Sequence, residues 1–235
     1  MEAERNLQIV PDEFEEANPK PISKTREKAL TKKSQATSQD GRQARATRTR
    51  LAIIDALLDL IVEGDISPTA RQIAVRAGVS ERSVFQHFVD LEELHKALSE
   101  RQLSRILAMS EDISPNLPLT ERIDAYVKQR SRILEALTPV RRAALAIEMH
   151  SAELRRSRDL FHALSLEEVN KVFANEIKNY KRSDRSIYAS SIEVVSSWNA
   201  WESLRVQGHS SDSAEAVMRF SLKALLHISS GNESN

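Results

Sequence analysis

The amino-acid sequence predicts an all-α protein in which an N-terminal three-helix domain precedes a larger helical domain. Apolar residues recur at steps of three and four along most of the chain, and no segment shows the strict alternation of a half-buried strand. Only 5 of the 235 residues are glycine, whereas 40% are hydrophobic and 29% are charged. Few turn-forming residues and many Leu, Ala, Glu and Arg favour helices throughout.

The composition also excludes several classes of protein. Cysteine is absent, which rules out disulfides and thiolate metal sites and agrees with a reducing compartment. No apolar run is long enough to span a membrane, and the first residues are charged, unlike those of a signal peptide. We therefore expect a cytoplasmic protein with no membrane segment.

Charge is distributed unevenly, although the formal net charge is zero. Residues 1–19 carry six acidic side chains against one arginine, and residues 20–50 carry ten basic ones against two acidic ones. The sequence predicts that residues 1–40 form a disordered arm, first acidic and then basic. Such an arm can be a solvated tail, or it can neutralise DNA phosphates and release counterions without folding first. The sequence leaves both interpretations open.

The first helix is predicted from about Gln43 to Glu63, and Gly64 ends it. Its apolar stripe lies on one side, with charged residues largely on the other. This helix is expected to cover the two short helices that follow and to complete a three-helix domain. The stripe consists of Leu51, Ile53, Ile54, Leu57, Leu58, Ile61 and Val62.

Residues 67–90 predict two short helices joined by a tight turn. Ser67 can cap the first helix, and Pro68 fits its first turn, where a missing N–H costs nothing. Ile73 faces inward. Gly78 can take the left-handed conformation that ends this helix.

Ser80 is the natural N-cap of the second short helix. Val84 and Phe88 follow at steps of four and therefore face inward. The outward side carries donors, acceptors and a flat ring on a rigid cylinder, which is what a helix needs to read base edges in a major groove. These outward residues are Arg82, Ser83, Phe85, Gln86 and His87.

A glycine turn between two steeply crossing helices is typical of the helix-turn-helix motif, although an ordinary helical hairpin with a glycine cap has the same pattern. Beyond this pattern, residues 45–105 resemble the DNA-binding domain of the TetR family of bacterial transcriptional regulators. The residues that carry the resemblance are Ile73-Ala74, Gly78-Val79-Ser80 and Val84-Phe85-Gln86-His87-Phe88. The resemblance implies a DNA-binding domain over residues 41–100 and a helical ligand-binding and dimerisation domain over residues 101–235.

Nine residues of the first domain are predicted to contact DNA. Arg82 and Gln86 are the candidates for base readout, because Arg pairs bidentately with guanine and Gln with adenine. Arg71 is expected to contact phosphate or the groove. His87 can reach a phosphate or pack as a hydrogen-bonded histidine. The complete set is Arg48, Thr69, Arg71, Ser80, Arg82, Ser83, Phe85, Gln86 and His87.

One position departs from the family pattern. Many relatives carry a lysine three residues past the His-Phe pair, where it grips the DNA backbone, and here that position is Leu91. Its neighbours Asp90, Glu92 and Glu93 are acidic. We hypothesise that the basic arm compensates for the missing phosphate anchor.

Catalytic and metal-binding interpretations have little support. Glu92 and His95 form one Glu-x-x-His pair, but a di-iron helical bundle needs two such pairs and two further carboxylates. The sequence contains no Gly-rich phosphate loop, no His-Glu-x-x-His and no Gly-x-Ser-x-Gly. We expect neither an enzyme, nor a metal site, nor a cofactor.

The C-terminal part is predicted as helices with breaks at Thr138-Pro139 and Gly208, a helix capped by Thr120, and one continuous helix over residues 184–206. The family resemblance implies that the last two helices pair with those of a second subunit. It also implies that a small molecule enters this domain; we expect an apolar or amphipathic compound, because the helices offer few inward charges. The predicted dimer interface comprises Val194, Val195, Trp198, Trp201, Val217, Leu222 and Leu225. The candidate pocket residues are Tyr126, Met149, His150, Phe173 and Trp198.

The sequence therefore predicts a ligand-responsive transcriptional repressor that binds palindromic double-stranded DNA as a homodimer. Two-fold symmetry would place its recognition helices about 34 Å apart, or a small multiple of that distance. The alternative is a helical, dimeric ligand-sensing protein without specific DNA binding, which the acidic residues around Leu91 support.

Overall fold

The computed structural model of the protein describes residues 24–227, with side chains described from residue 41 to residue 226. The chain divides into two units, residues 1–46 and residues 47–235. Every regular element in the described range is a helix, which confirms the predicted all-α class. The helices are α1 (Lys24–Val62), α2 (Ala70–Ala77), α3 (Glu81–His87), α4 (Leu91–Met109), α5 (Leu119–Leu145), a 3₁₀ helix (Glu148–His150), α6 (Ala152–Val172), α7 (Ala174–Lys178), α8 (Arg185–Val195), α9 (Trp198–Val206) and α10 (Ser211–His227).

Helix α1 begins well before its predicted start at Gln43. Residues 24–40 of the predicted disordered arm are helical, whereas residues 1–23 lie outside the described residues. Residues 24–40 contain neither proline nor glycine, and they include four Lys, two Ala and two Gln beside three Thr and two Ser. Lys, Ala and Gln are good helix formers, Thr and Ser are weaker ones, and composition alone does not distinguish a charged helix from a charged coil.

The first hydrophobic core lies among α1, α2, α3 and the beginning of α4, and includes Ala143 of α5. Its central side chains come from the predicted inward faces of the motif: Ile73, Val84 and Phe88 are all buried. The predicted stripe of α1 supplies one wall, except that Leu51 and Val62 are exposed. The buried members of the stripe are Ile53, Ile54, Leu57, Leu58 and Ile61.

The second hydrophobic core lies between the end of α4 and the helices from α5 to α10. Tyr126, Phe173 and Trp201 are its largest fully buried side chains. The two cores follow one another along α4, since Leu98 belongs to the first and Ile106 to the second. The predicted domain boundary near residue 100 falls between them and stays a prediction.

Polar contacts tie α4 to helices on both sides. Asp55 of α1 accepts hydrogen bonds from Arg101 at 2.8 Å and from Arg105 at 2.9 Å. Gln102 donates from Nε2 to the carbonyl of Ala136 in α5 at 3.1 Å. Helix α4 is therefore bonded to both α1 and α5.

Two predictions about α5 were wrong. Thr120 does not cap it, because the helix begins at Leu119 and has no side-chain cap. Pro139 does not break it either, and α5 continues to Leu145. Packing outweighs the proline penalty here, since buried side chains lie on both sides of Pro139: Leu137 and Thr138 before it, and Ala143 and Ala144 after it.

The predicted helix over residues 184–206 is divided into α8 and α9 at Ser196 and Ser197. The Ser197 hydroxyl caps α9 by accepting a hydrogen bond from the N–H of Ala200 at 3.3 Å. The Ser196 hydroxyl donates back to the carbonyl of Ile192 at 2.8 Å. Serine side chains compete with the helix for backbone partners, which explains a break that an apolar periodicity does not reveal.

No helix in the described range is long and apolar enough to cross a membrane.

Candidate functional site

The first helix of the helix-turn-helix motif starts at a capping box. Thr69 Oγ1 accepts a hydrogen bond from the N–H of Gln72 at 3.3 Å, and Gln72 Oε1 accepts one from the N–H of Thr69 at 2.9 Å. The predicted cap at Ser67 was therefore wrong by two residues. Ser67 lies in the preceding turn, where its N–H donates to Asp65 at 3.1 Å.

The turn and the second helix follow the prediction closely. Gly78 has a φ of 67° and ends α2 in the left-handed conformation that favours glycine. The N–H of Val79 closes the turn by donating to the carbonyl of Ala74 at 3.0 Å. The Ser80 hydroxyl then caps α3 by accepting a hydrogen bond from the N–H of Ser83 at 3.2 Å.

Helix α3 presents an inward and an outward face. Val84 and Phe88 are each only 5% exposed and pack into the first core. Phe85, one residue beyond Val84, is 65% exposed, and Arg82 and Gln86 are exposed beside it. Phe85 therefore lies outside the core, beside two polar side chains on the same outward face of α3.

Arg50 of α1 fixes the end of α3. Its Nη1 atom donates to the carbonyl of His87 at 2.5 Å and lies 2.9 Å from the carboxylate of Glu93. Its guanidinium carbon lies 4.2 Å from the ring centroid of Phe88. One side chain thus joins α1, the end of α3 and the beginning of α4. The sequence shows Arg50 only as one more basic residue before the motif.

The cationic and amide side chains of the predicted DNA surface are free to bind. Within the described residues, Arg48, Arg71, Arg82 and Gln86 are exposed and have no hydrogen-bond or ion-pair partner. By contrast, the exposed Arg76 in the same domain is bound to Glu63 through two hydrogen bonds of 2.8 and 2.5 Å.

Four other residues predicted to contact DNA lie at or near helix ends, and two of them have side chains that form contacts within the fold. The hydroxyls of Thr69 and Ser80 serve as N-caps. Ser83 and His87 are half-buried at the two ends of α3. The Thr69 and Ser80 side chains therefore fix the beginnings of α2 and α3, and Ser83 and His87 lie beside the free side chains of α3.

The acidic residues beside Leu91 are engaged within the protein. Asp90 Oδ1 caps α4 by accepting from the N–H of Glu93 at 2.8 Å. Glu93 accepts from the N–H of Val89 at 2.9 Å, and this hydrogen bond, with the Arg50 guanidinium, lowers the pKa of Glu93. Leu91 itself is exposed. The carboxylates of Asp90 and Glu93, next to the end of α3, are thus bound to donors of the same domain, whereas Glu92 accepts a hydrogen bond from the N–H of Glu153 in α6.

A cavity of about 760 Å³ opens among α1, α2, α4, α5 and α6. Of the five predicted pocket residues, His150 and Trp198 lie on its wall. Tyr126 and Phe173 instead contact each other edge to face inside the second core, with their ring centroids 5.3 Å apart. Met149 is exposed and does not line this cavity.

The expectation of few inward charges in the C-terminal helices was wrong. Arg122, Arg130 and Glu148 are all buried. Arg122 forms two hydrogen bonds of 2.7 and 2.6 Å with Glu176. Burial raises the pKa of Glu176, but the hydrogen bonds and the charge of Arg122 outweigh burial, so the pKa is lowered overall. Long basic side chains at helical spacing resemble surface residues in a sequence, and only the tertiary partners reveal their burial.

The predicted dimer residues differ in exposure, and two of them, Val195 and Leu225, are partly buried. Trp198 and Trp201 pack inside the protomer, where their indole N–H groups donate to Thr138 and Glu135 at 3.1 and 3.0 Å. Leu222 is fully buried as well. Large apolar side chains nevertheless remain exposed on α8 and α10: the predicted Val194 and Val217, and the unpredicted Ile187 and Phe220.

The fold and the free outward face of α3 define a helix-turn-helix protein. Residues 53–98 match the family model of bacterial regulatory proteins of the tetR family, which confirms the resemblance of this domain to the TetR family. The chain is thus a DNA-binding transcriptional regulator.

A solved structure of a protein from Mesorhizobium loti MAFF303099, assigned to the TetR-family transcriptional regulators, has a similar fold with a TM-score of 0.55. The two sequences are 19% identical, and the alignment covers 78% of this chain and 98% of that chain. A comparison with curated proteins finds no match. Among the described residues, no group of His, Cys, Asp and Glu could hold a metal ion.

Proposed function

We propose that the protein is a ligand-responsive repressor that binds a palindromic operator as a homodimer in the cytoplasm. One observation carries this proposal: α3 is held rigidly at both ends, by the Ser80 cap and the Arg50 contacts, while Arg82 and Gln86 point outward without partners in the described part of the chain. Donors on a fixed helix can meet base edges without first breaking contacts of their own.

The side chains divide by their chemistry into base readers and positioning residues. Arg82 matches guanine and Gln86 matches adenine, each through two hydrogen bonds. Arg48 and Arg71 contact phosphates. These contacts set the register of the domain on DNA without reading its sequence. Phe85 offers an apolar surface to a thymine methyl group or a sugar.

The exposed apolar side chains on α8 and α10 support a dimer. Ile187, Val194 and Phe220 are each more than half exposed on two helices that pack against each other. Pairing these helices with their symmetry mates would cover the apolar surface and place two recognition helices on one palindrome. A ligand that favours one separation of the two heads would then change operator affinity.

The proposal is tested with labelled DNA from the region upstream of the protein's own gene. Fluorescence anisotropy should show binding that survives an excess of unrelated DNA, and sedimentation should show two protomers for each occupied site. Binding that is sensitive to salt but blind to sequence would contradict specific recognition. It would favour a ligand-sensing protein without an operator.

A further inference from the structure

We propose that Glu81, the first residue of α3, determines one base pair of the operator. Its carboxylate accepts a hydrogen bond from the amino group of a cytosine, and this cytosine pairs with the guanine that Arg82 contacts. The inference rests on the proposed DNA recognition by α3, to which it adds a residue that selects sequence.

Glu81 is a carboxylate that the fold does not use. It is exposed, and within the described residues its side chain has no hydrogen-bond or ion-pair partner. Two other carboxylates near the motif have donors in the protein, since Asp90 caps α4 and Glu93 binds Arg50. The carboxylate of Glu81 is thus available to a ligand, like the guanidinium group of Arg82 beside it.

Glu81 completes an exposed patch on α3 that has two rows of two side chains. The first row is Glu81 with Arg82, and the second row follows four residues later, since positions four apart lie on the same side of a helix. The second row consists of Phe85 and Gln86. All four side chains are exposed, whereas Val84 on the opposite side of α3 is buried in the first core. The four exposed side chains therefore face the same ligand.

Each row of the patch matches one base pair chemically. Arg82 donates to the acceptors of guanine, and the carboxylate of Glu81 beside it can accept from the amino group of the paired cytosine. In the second row, Gln86 matches adenine, and Phe85 offers an apolar surface to the methyl group of the paired thymine. The two rows thus fit a C·G pair and an A·T pair.

The spacing of the two rows agrees with the spacing of base pairs. Four residues of an α-helix advance by about 6 Å, and two base-pair steps of DNA advance by about 6.8 Å. The recognition helix of a helix-turn-helix lies in the major groove with its N-terminal residues at the base edges. We therefore expect one base pair between the C·G pair of the first row and the A·T pair of the second row.

The negative charge of Glu81 restricts the bases that it can face. In the major groove, cytosine and adenine present an amino donor, whereas guanine presents acceptors and thymine an acceptor and a methyl group. Opposite an acceptor, the carboxylate would lose water without gaining a donor, and it repels phosphates at every sequence. Glu81 therefore weakens binding to most sequences and permits it at a C·G pair, which makes it a determinant of specificity more than of affinity.

The test uses the full-length protein and a duplex that it selects from a random DNA pool. In separate copies of this duplex, each cytosine in turn carries a methyl group on its amino nitrogen. Such a cytosine still pairs with guanine, but the methyl group replaces the N–H that is exposed in the major groove. We expect methylation of one cytosine in each half-site to weaken wild-type binding about tenfold in fluorescence anisotropy, because the carboxylate loses its donor.

Two variants identify the side chain that contacts this amino group. Glu81→Ala should bind the methylated and unmethylated duplexes equally, and it should bind unrelated DNA about threefold more tightly than the wild type, because a negative charge near phosphates is removed. Glu100→Ala is the matched control, since Glu100 is an exposed carboxylate of α4 that lies 4.0 Å from Lys96. This control should keep the wild-type sensitivity to methylation. Circular dichroism checks that each variant is folded.

Arg82→Ala locates the guanine of the same base pair. A guanine analogue that lacks the ring-nitrogen acceptor of the major groove is placed opposite the sensitive cytosine. It should weaken binding of the wild type and leave binding of Arg82→Ala unchanged. If Arg82 responds instead at a different base pair, the two residues do not share a pair and the inference is overturned.

No sensitive cytosine, or equal sensitivity of the wild type and Glu81→Ala, would also overturn the inference. The proposed regulator would then stand, because the wild type has selected a sequence. Lower thermal stability of Glu81→Ala with unchanged sensitivity would assign Glu81 to stabilising the first turn of α3, where a negative charge is favourable, and would overturn the inference as well. If the wild type selects no sequence from the pool, the proposed function fails and the inference fails with it.

Discussion

The DNA-binding domain and the helical domain that follows it use arginine in opposite ways. In the first, Arg71 and Arg82 lie exposed and unpartnered among the described residues. In the second, Arg122 and Arg130 are buried, and each binds at least one backbone carbonyl and one side chain. An arginine that the fold does not need is available to a ligand, whereas a buried one holds the fold together.

Arg130 shows how the second domain depends on such a residue. Its Nε atom donates to the carbonyl of Ser196 at 2.9 Å, where α8 ends, and its Nη2 atom donates to Ser165 at 2.7 Å. Glu168 lies 3.8 Å from Nη1. The arginine therefore provides a donor to a buried carbonyl at a helix break, joining α5 to α6 and α8.

Removing this side chain is the largest change that we predict. Arg130→Ala should lower the free energy of unfolding by about 3–5 kcal/mol, because buried acceptors lose their donor and a void remains. Urea denaturation measures the change. Arg132→Ala, which removes an arginine two residues away that is half exposed, is the matched control and should have little effect. Equal losses in the two variants would show that burial is not what distinguishes Arg130.

The exposed arginine of the recognition helix should behave in the opposite manner. Arg82→Ala should weaken operator binding by about 1–3 kcal/mol while the urea midpoint stays the same, because the lost hydrogen bonds are to a base. Arg76→Ala is the control, since Arg76 is an exposed arginine of the same domain already bound to Glu63. Equal weakening on operator and unrelated DNA would assign Arg82 to phosphate contact instead.

Much of the DNA-binding domain could be predicted from local rules. The Ser80 cap, the left-handed Gly78 and the inward Val84 and Phe88 all depend on residues within a few positions of one another. The cap at Ser67 was misplaced because Ser67 and Thr69 are both suitable hydroxyl residues. Only the reciprocal bonds of Thr69 with Gln72 decide between them.

The C-terminal helices depend on partners that are distant in the sequence, and the predictions that failed there concern Pro139, Ser196 and the buried charges. Packing carries α5 through Pro139, and a buried serine pair divides α8 from α9. Arg130 meets Ser196 across 66 positions of the chain. A periodic pattern marks which face of a helix is apolar, but it does not show which distant carbonyl requires a donor.

Shortening the N-terminal arm tests how much of the DNA affinity lies outside the recognition helix. Removing residues 1–40 should weaken binding and flatten its dependence on salt, because fewer counterions are released from DNA. Removing only residues 1–19, which are acidic, is the control and should strengthen binding, because the basic residues 20–40 remain. Unchanged affinity and salt slope after the longer deletion would rule out a contribution of the arm.

The smallest expected effect concerns the ion pairs between Asp55 of α1 and the two arginines Arg101 and Arg105 of α4. A hydrogen bond from Arg101 lowers the pKa of Asp55 below its ordinary value of 3.8. Partial burial opposes this shift, and the charges of Arg101 and Arg105 add to it. A carboxylate with a depressed pKa in the folded state stabilises the protein above its unfolded pKa and loses this contribution as pH falls through the folded value.

The Asp55→Asn variant isolates that contribution. Its free energy of unfolding should be lower than that of the wild type by less than about 1 kcal/mol at neutral pH, because Asp55 is one-third exposed and its ion pairs are screened. The difference should stay constant above the ordinary pKa of 3.8 and shrink as the pH falls below it, because the carboxylate of Asp55 takes up its proton first in the unfolded chain. Urea denaturation above and below this pKa measures it, and Asp59→Asn controls for removing an exposed carboxylate from the same helix. A difference that does not change with pH would show that the negative charge of Asp55 makes no contribution to stability.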